Sequence, residues 1–413
     1  MRRLHRLFLT APFVPALVLT LAACGMNGGG GEKTDDAAPK TAGSGDFAAD
    51  PMASRDPSGN GPLDPAVADD TPRPLMQAQV VFDRLGFAPG VIDGKEGLST
   101  TNAIEGYQKA NELEPTGKLD EPTKEMLGRW SNIPATRVVT IPESFAAGPF
   151  YATPDDPADQ AKMPALYYES LDEKLAERFH TTIAVLEDLN SAGASPPAAS
   201  PSAASPPPAS PSATPTPESS ASGTAFTPQP GPASKFRAGQ KIRVPNIGGD
   251  SIDATTVKDR DWLLTLALLG VGTGQPQADK IVVDKSEGTL QVFDAAGKLV
   301  AQFTATMGSS NDPLPLGDWK ILGKAYNPPF NYNPKLFWDA KAGDEKAKLP
   351  PGPNGPVGVV WIDLSKEHYG IHGTPNPETI GRAESHGCVR LTNWDAARLA
   401  QMVSTSTKVS FVA

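Results

Sequence analysis

Ile371-His372-Gly373-Thr374 and, after ten intervening residues, Ser385-His386-Gly387-Cys388-Val389-Arg390-Leu391 decide how this chain is read. Cys388 is one of two cysteines, and the other, Cys24, closes an apolar N-terminal segment. A thiol of ordinary acidity, pKa about 8.5, is mostly protonated at neutral pH, and its thiolate is the nucleophile. His372, sixteen positions upstream, is a base of the right type to take that proton and leave a reactive ion pair. An imidazole in that role needs an acceptor on its other nitrogen, and nothing acidic adjoins His372. Gly387 and Cys388 carry backbone N–H groups under little steric cover, which suits an oxyanion hole. Arg390 can pair a substrate carboxylate or clamp the cysteine loop, and Ser385 can fix that loop through its hydroxyl. His368 and His180 stand in settings that read as structural. The His and Cys spacings do not match zinc ligand pairs, and no glycine-rich phosphate loop follows a strand, so no metal or cofactor is expected.

Around this motif the texture is β. Ile281-Val282-Val283 and the runs 289–293 and 300–306 are short apolar alternations split by Ser286-Glu287-Gly288 and Ala295-Ala296-Gly297 turns. Residues 315–321 add a turn and a strand, 357–364 another strand, and 408–412 a closing one. Thr392 and Asp395 can cap a helix carrying Ala397, Leu399, Ala400 and Val403. Residues 325–355 are rich in Pro, Asn, Lys and Gly, with Tyr326, Phe330, Tyr332, Phe337 and Trp338. They read as an irregular lid or substrate-lining loop, or as a loop whose aromatics anchor the core.

The paired motif, Asp284-Lys285-Ser286 and the Pro315-Leu316-Gly317 turn together resemble the L,D-transpeptidase (YkuD-type) catalytic domain over residues 279–413. The resemblance implies a mainly-β domain that performs acyl transfer on peptidoglycan stem peptides. Cys388 would be the nucleophile and His372 the general base and acid, with the Gly373 backbone carbonyl orienting the imidazole. His386, Gly387, Ser385 and Arg390 would line the substrate and oxyanion region. The donor would be a tetrapeptide losing its terminal D-alanine, and a carbapenem would label the thiol. A stem amine as acceptor gives a 3–3 cross-link, water makes the enzyme an L,D-carboxypeptidase, and a protein lysine makes it an anchoring transpeptidase. The sequence leaves that acceptor open.

The rest of the chain supplies the setting. At 413 residues, two to three domains are expected. An apolar content of 39% beside 43 prolines and 39 glycines fits folded modules joined by unfolded segments. A formal charge of −10 argues against nucleic acid as a partner. Arg2, Arg3 and Arg6 precede a short apolar run that ends in Leu21-Ala22-Ala23-Cys24. This reads as a signal peptide over 1–23 and resembles a bacterial lipoprotein lipobox, which implies lipidation at Cys24. An ordinary signal peptide cut near Ala23 is the alternative. Residues 24–72 read as a disordered tether. The expected location is extracytoplasmic and lipid-anchored, on the periplasmic face of an outer membrane in a diderm cell.

Residues 73–130 carry three helical patterns. Leu75, Ala78, Phe82 and Leu85 form the first, Ala103, Ile104 and Tyr107 the second, and Met126 and Leu127 follow an Asp120 start. With Leu85-Gly86-Phe87 and the turns at 90–94 and 117–120, they resemble a three-helix peptidoglycan-binding domain. A plain helical bundle without a ligand is the alternative. Residues 164–247, interrupted by a Pro/Ala/Ser linker at 191–235, read as strand, helix, helix, strand. The expected strands are Leu166-Tyr167-Tyr168 and the run at 241–245, with Ser170 and Glu173 as a capping box. This βααβ order resembles a LysM glycan-binding module. A further helix at 261–269 has no assigned partner. The expected fold class is thus multidomain α+β, with the catalytic domain C-terminal. The rival from a different class is a non-enzymatic wall-binding lipoprotein.

Overall fold

The computed structural model describes residues 69, 71–191, 226–248 and 252–413. The signal peptide, Cys24, nearly all of the tether and the centre of the Ser/Ala/Pro-rich linker lie outside the described residues. No helix among the described residues is long and apolar enough to cross a membrane.

The N-terminal module begins with α1 (Pro74–Arg84), whose proline occupies a first-turn position that needs no N–H. A short strand β1 (Phe87–Ala88) follows, then α2 (Leu98–Ala110) and α3 (Glu121–Leu127). Asp120 starts α3 by accepting from the Thr123 N–H at 3.1 Å. Two buried glutamines shape the turns. The Gln79 side-chain oxygen accepts from the backbone of Asp93 and Gly94, and that of Gln108 from Gly117. Each amide satisfies backbone donors that a tight turn would otherwise leave unpaired.

The middle module has β2 (Thr136–Thr140) and short helices α4 (Glu143–Ala146) and α5 (Pro157–Gln160). Then come α6 (Leu171–Arg178), α7 (Ile183–Leu189) and β3 (Lys241–Pro245). Ser170 caps α6 by accepting from Glu173 N, and the Glu173 carboxylate accepts from Glu169 N. Such a cap is worth about 1 kcal/mol. The strand expected at 166–168 does not exist, because β3 pairs antiparallel with β2, thirty residues further upstream. Leu166 is apolar for another reason. It is buried against Met163 and Leu349, and its backbone bonds Pro351 and Asn354.

The C-terminal part opens with α8 (Arg260–Leu269), capped by Asp259 and ended by Gly270 in the left-handed conformation. Its Trp262, Leu266 and Leu269 enter the core of the C-terminal β domain, which answers what this helix packs against. The strands β4 (Lys280–Asp284), β5 (Thr289–Phe293) and β6 (Leu299–Thr304) form a meander. They are followed by β7 (Thr306–Met307) and the long β8 (Gly317–Tyr326). Within the segment expected to be irregular, β9 (Phe330–Tyr332) and β10 (Ala347–Leu349) form a two-stranded ladder of their own. Then come β11 (Val360–Leu364), β12 (Gly370–His372), β13 (Val389–Arg390), α9 (Asn393–Met402) and β14 (Lys408–Val412). The main sheet runs β1-β6-β5-β4-β14-β8-β11-β12-β13-β7. One half of β8 pairs with β14 and the other with β11, so this strand joins the two halves of the sheet. Buried α9 contacts β11 and β12.

The modules are not beads on a string. β1 of the N-terminal module is itself the edge strand of the main sheet, with Phe87 beside Gln302 and Ala88 beside Phe303 in parallel. Asn102 donates to Thr304 Oγ1, and Lys109 pairs with Glu287 at 2.8 Å. Deeper in, Asp83 of α1 accepts from both Nη atoms of Arg398 in α9, at 2.9 and 2.7 Å. His180, from the turn after α6, closes this cluster at 3.1 Å from Asp83 and stacks on Trp394.

Candidate active site

β12 and β13 lie side by side in parallel, with Ile371 beside Val389 and His372 beside Arg390. Continuing that register sets Cys388 level with Gly370. Because residues two apart on a strand share a face, Gly370, His372, Cys388 and Arg390 all stand on one face of the sheet. Trp361, opposite His372 on antiparallel β11, joins them. Its ring stacks on the imidazole with centroids 5.6 Å apart and planes at 21°. The same ring covers Gly370, where any Cβ would run into it. Gly370 therefore leaves the surface between His372 and Cys388 clear of a side chain of its own.

His372 is buried, and its Nδ1 lies 2.7 Å from the Gly373 carbonyl oxygen. A carbonyl only accepts, so in the neutral ring Nδ1 carries the proton and Nε2 keeps a lone pair. Burial, reinforced by the Arg390 charge, holds the imidazole down to about 4, against the pull of the Gly373 carbonyl. Cys388 keeps part of its surface open, while protein atoms crowd the sulfur from the inner side. That burial pushes the thiol up to about 11, although the Gly370 backbone and Arg390 favour the thiolate. The thiol donates to the His368 carbonyl at 3.7 Å. Both shifts favour the neutral forms, thiol and imidazole. Dry surroundings disfavour both charges more than Arg390 supports the thiolate.

The turn before Cys388 is locked by Ser385. Its Oγ accepts from Gly308 N at 2.6 Å and donates to the Cys388 carbonyl at 2.7 Å. Gly387 has φ +92° and faces the Tyr369 ring, so both conformation and space exclude a side chain there. Gly387→Ala is expected to destabilise the chain by about 1–3 kcal/mol and to cut turnover, read by thermal melting and product formation. The His386 side chain points away, into the segment 325–355. Its Nε2 lies 2.7 Å from Asp339 Oδ1, and its ring packs near Phe337 and Trp338. Arg390 Nη1 reaches the Glu384 carbonyl at 3.4 Å.

Sequence reasoning missed Trp361, Tyr369 and Asn393. Trp361 did leave a signal. On β11 the residues Val360, Ile362 and Leu364 are buried, so Trp361 occupies the face that an ordinary surface strand gives to polar residues. Asn393 touches Gly373 and Gly358, at either of which a Cβ would run into its Oδ1.

The L,D-transpeptidase catalytic domain (YkuD) family model matches residues 278–410. A second family, described as "Putative peptidoglycan binding domain", matches 74–127. The "Putative L,D-transpeptidase YkuD" of Bacillus licheniformis is 55% identical over 60 residues, which are 14% of this chain and 36% of that protein. The "Putative L,D-transpeptidase in ATP synthase subunits region ORF 5" of Fuscovulum blasticum is 31% identical over 132 residues, 32% of this chain and 68% of that protein. Among solved structures, an L,D-transpeptidase from Mycobacterium smegmatis matches at 22% identity, covering 32% of this chain and 58% of that chain, with a TM-score of 0.26. The chain belongs to the L,D-transpeptidase family, its matched part being the C-terminal catalytic domain. It spans about a third of the length of the two "Putative L,D-transpeptidase YkuD" proteins of Bacillus that it matches.

Proposed function

We propose that this protein is a peptidoglycan L,D-transpeptidase that forms 3–3 cross-links through a thioester on Cys388. The observation that carries the reading is the shared sheet face of Cys388 and His372, with Nδ1 of the base already committed to the Gly373 carbonyl. His372 Nε2 takes the thiol proton as Sγ attacks the carbonyl of the third stem residue. The same proton goes to the departing D-alanine amine, leaving a thioester. An amine of a second stem then attacks, loses its proton to His372 and restores the thiol. The neutral resting pair suits this order, because charge develops only as the sulfur bonds. The Gly387 and Cys388 N–H groups are assigned to the oxyanion, each such donor being worth about 3–4 kcal/mol in the barrier. Arg390 is the cation that offsets the thiolate or pairs a stem carboxylate. His386 lines the donor side through its backbone, with its side chain engaged by Asp339.

The peptidoglycan-binding family match at 74–127 supports the substrate class and an extracytoplasmic site of action. Lipidation at Cys24 and an outer-membrane anchor rest on the motif at 21–24. Glycan binding by the middle module rests on its α6–α7 pair between paired strands. Incubating the soluble chain with tetrapeptide muropeptides and weighing the products tests the reaction. Dimers are the expected result. Tripeptide monomers alone make it a carboxypeptidase, transfer to a protein lysine makes it an anchoring enzyme, and no turnover overturns the enzymatic reading. A carbapenem adduct on Cys388 is the accompanying expectation.

A further inference from the structure

We infer that Glu177, supplied by α6 of the middle module, is a positioning residue for His372 and acts through Asn393. The inference rests on the His372 role proposed above.

Asn393 opens α9 and is fully buried. Its Nδ2 donates to Glu177 Oε1 at 2.7 Å and to the Pro353 carbonyl at 3.1 Å. Its Oδ1 accepts from Val359 N at 3.3 Å. Two acceptors on one end and a donor on the other leave the amide a single orientation. In that orientation Oδ1 lies against the Cα atoms of Gly373 and Gly358, with no room for a Cβ at either. Gly373 is the residue whose carbonyl holds His372 Nδ1 at 2.7 Å. The chain of contacts thus runs from carboxylate to amide, to the glycine backbone and to the imidazole, and every side chain in it is buried.

Glu177 accepts from Asn393 and also bonds the buried Tyr168 hydroxyl. It is buried beside Tyr168, Glu173 and Asn393, and burial pushes its carboxyl up to about 7. Keeping an acid in such a place costs stability unless its acceptor is needed. Without it, Nδ2 keeps only Pro353 and Oδ1 only the long bond from Val359 N, so the Asn393 amide is held less firmly against Gly373. The same module also holds the adjoining loop, since Asn354 bonds the carbonyls of Leu166 and Tyr167. The catalytic sheet therefore receives part of its base-orienting network from outside residues 278–410.

Glu177→Leu in the full chain tests this, with Glu177→Gln as the conservative rescue. Leu keeps the volume and removes the acceptor, while Gln retains an oxygen for Asn393. In Glu177→Leu, kcat for stem-peptide turnover should fall about tenfold or more with KM within about twofold, and Glu177→Gln should recover most of kcat. Melting temperature is measured alongside, because the Leu variant removes a buried acid but also takes an acceptor from Asn393. In nitrogen-15 histidine spectra the protected Nδ1–H of His372, assigned by His372→Gln, should exchange faster in the Leu variant. That signal needs no substrate, so it tests the inference even where turnover itself is absent and the proposed reaction fails. Wild-type kcat with an unchanged Nδ1–H signal in Glu177→Leu overturns the inference. A loss of kcat that only matches a loss of folded protein overturns it too. If Glu177→Leu does not fold, Asn393→Ser takes its place: slower turnover with faster Nδ1–H exchange supports the inference, and neither change overturns it.

Discussion

Cys388→Ser is expected to lower formation of cross-linked product by about 10³-fold or more while leaving the fold in place. The thiol makes a long contact of 3.7 Å to the His368 carbonyl, and a hydroxyl fits the same space. The chemistry is less forgiving. An alcohol is a far weaker acid than a thiol, and burial already holds the His372 imidazole down to about 4, too weak a base to ionise it. Product mass analysis against a melting curve separates loss of chemistry from loss of fold. The pH response of the wild type carries the same argument. With the thiol pushed up to about 11, its alkylation rate should climb steadily from pH 7 through pH 10. A plateau reached below pH 7 would mean a resting thiolate–imidazolium pair and overturn the neutral resting state.

Features set by local chain geometry were readable before the fold was known. The closing strand lies at Lys408–Val412 as its alternation implies. Thr392 caps α9 by accepting from Asp395 N, the contact that the Thr-to-Asp spacing predicts. Ser385 bonds within its own loop, and His372 bonds its immediate neighbour. What escaped was set by pairing across long sequence separations. The partner of β3 lies about a hundred residues upstream, and Leu166-Tyr167-Tyr168 imitates a strand because it docks on a distant loop. Nothing in Leu85-Gly86-Phe87 announces that it will extend another module's sheet. Glu177 and Asn393 are 216 positions apart, so neither carries a local mark of the other. The Cys388 motif is legible because β12 and β13 gather one contiguous region, whereas Glu177 and Asn393 come from two different modules.

Arg398→Ala is expected to destabilise the chain by about 3–5 kcal/mol at neutral pH, because it strands a buried charge. Asp83 is 2% exposed, and Arg398 forks onto both its oxygens. Burial alone would raise the Asp83 pKa, but Arg398 and His180 outweigh it and hold the carboxyl well below the usual range. In the wild type this favourable term is present above the unfolded pKa, about 3.9, and is lost as pH falls through the depressed folded value. Without Arg398, burial wins and the carboxyl is raised. The penalty is then greatest at neutral pH and is relieved as acid protonates Asp83. The stability gap between wild type and variant, measured by urea denaturation, should therefore shrink between pH 7 and pH 4.5. His180 stays 3.1 Å from Asp83 and can share its charge by taking up a proton, which pulls the loss toward the lower bound. A gap below about 1 kcal/mol at pH 7, or one that does not change with pH, would mean that Asp83 is not held ionised by Arg398. The consequence reaches the active site, because α9 carries Arg398 near its middle and Asn393 at its start. Loosening α1 from α9 should also quicken amide exchange at Gln302, whose N–H bonds Gly86 just after α1, more than exchange in β4 or β14 at the sheet's centre.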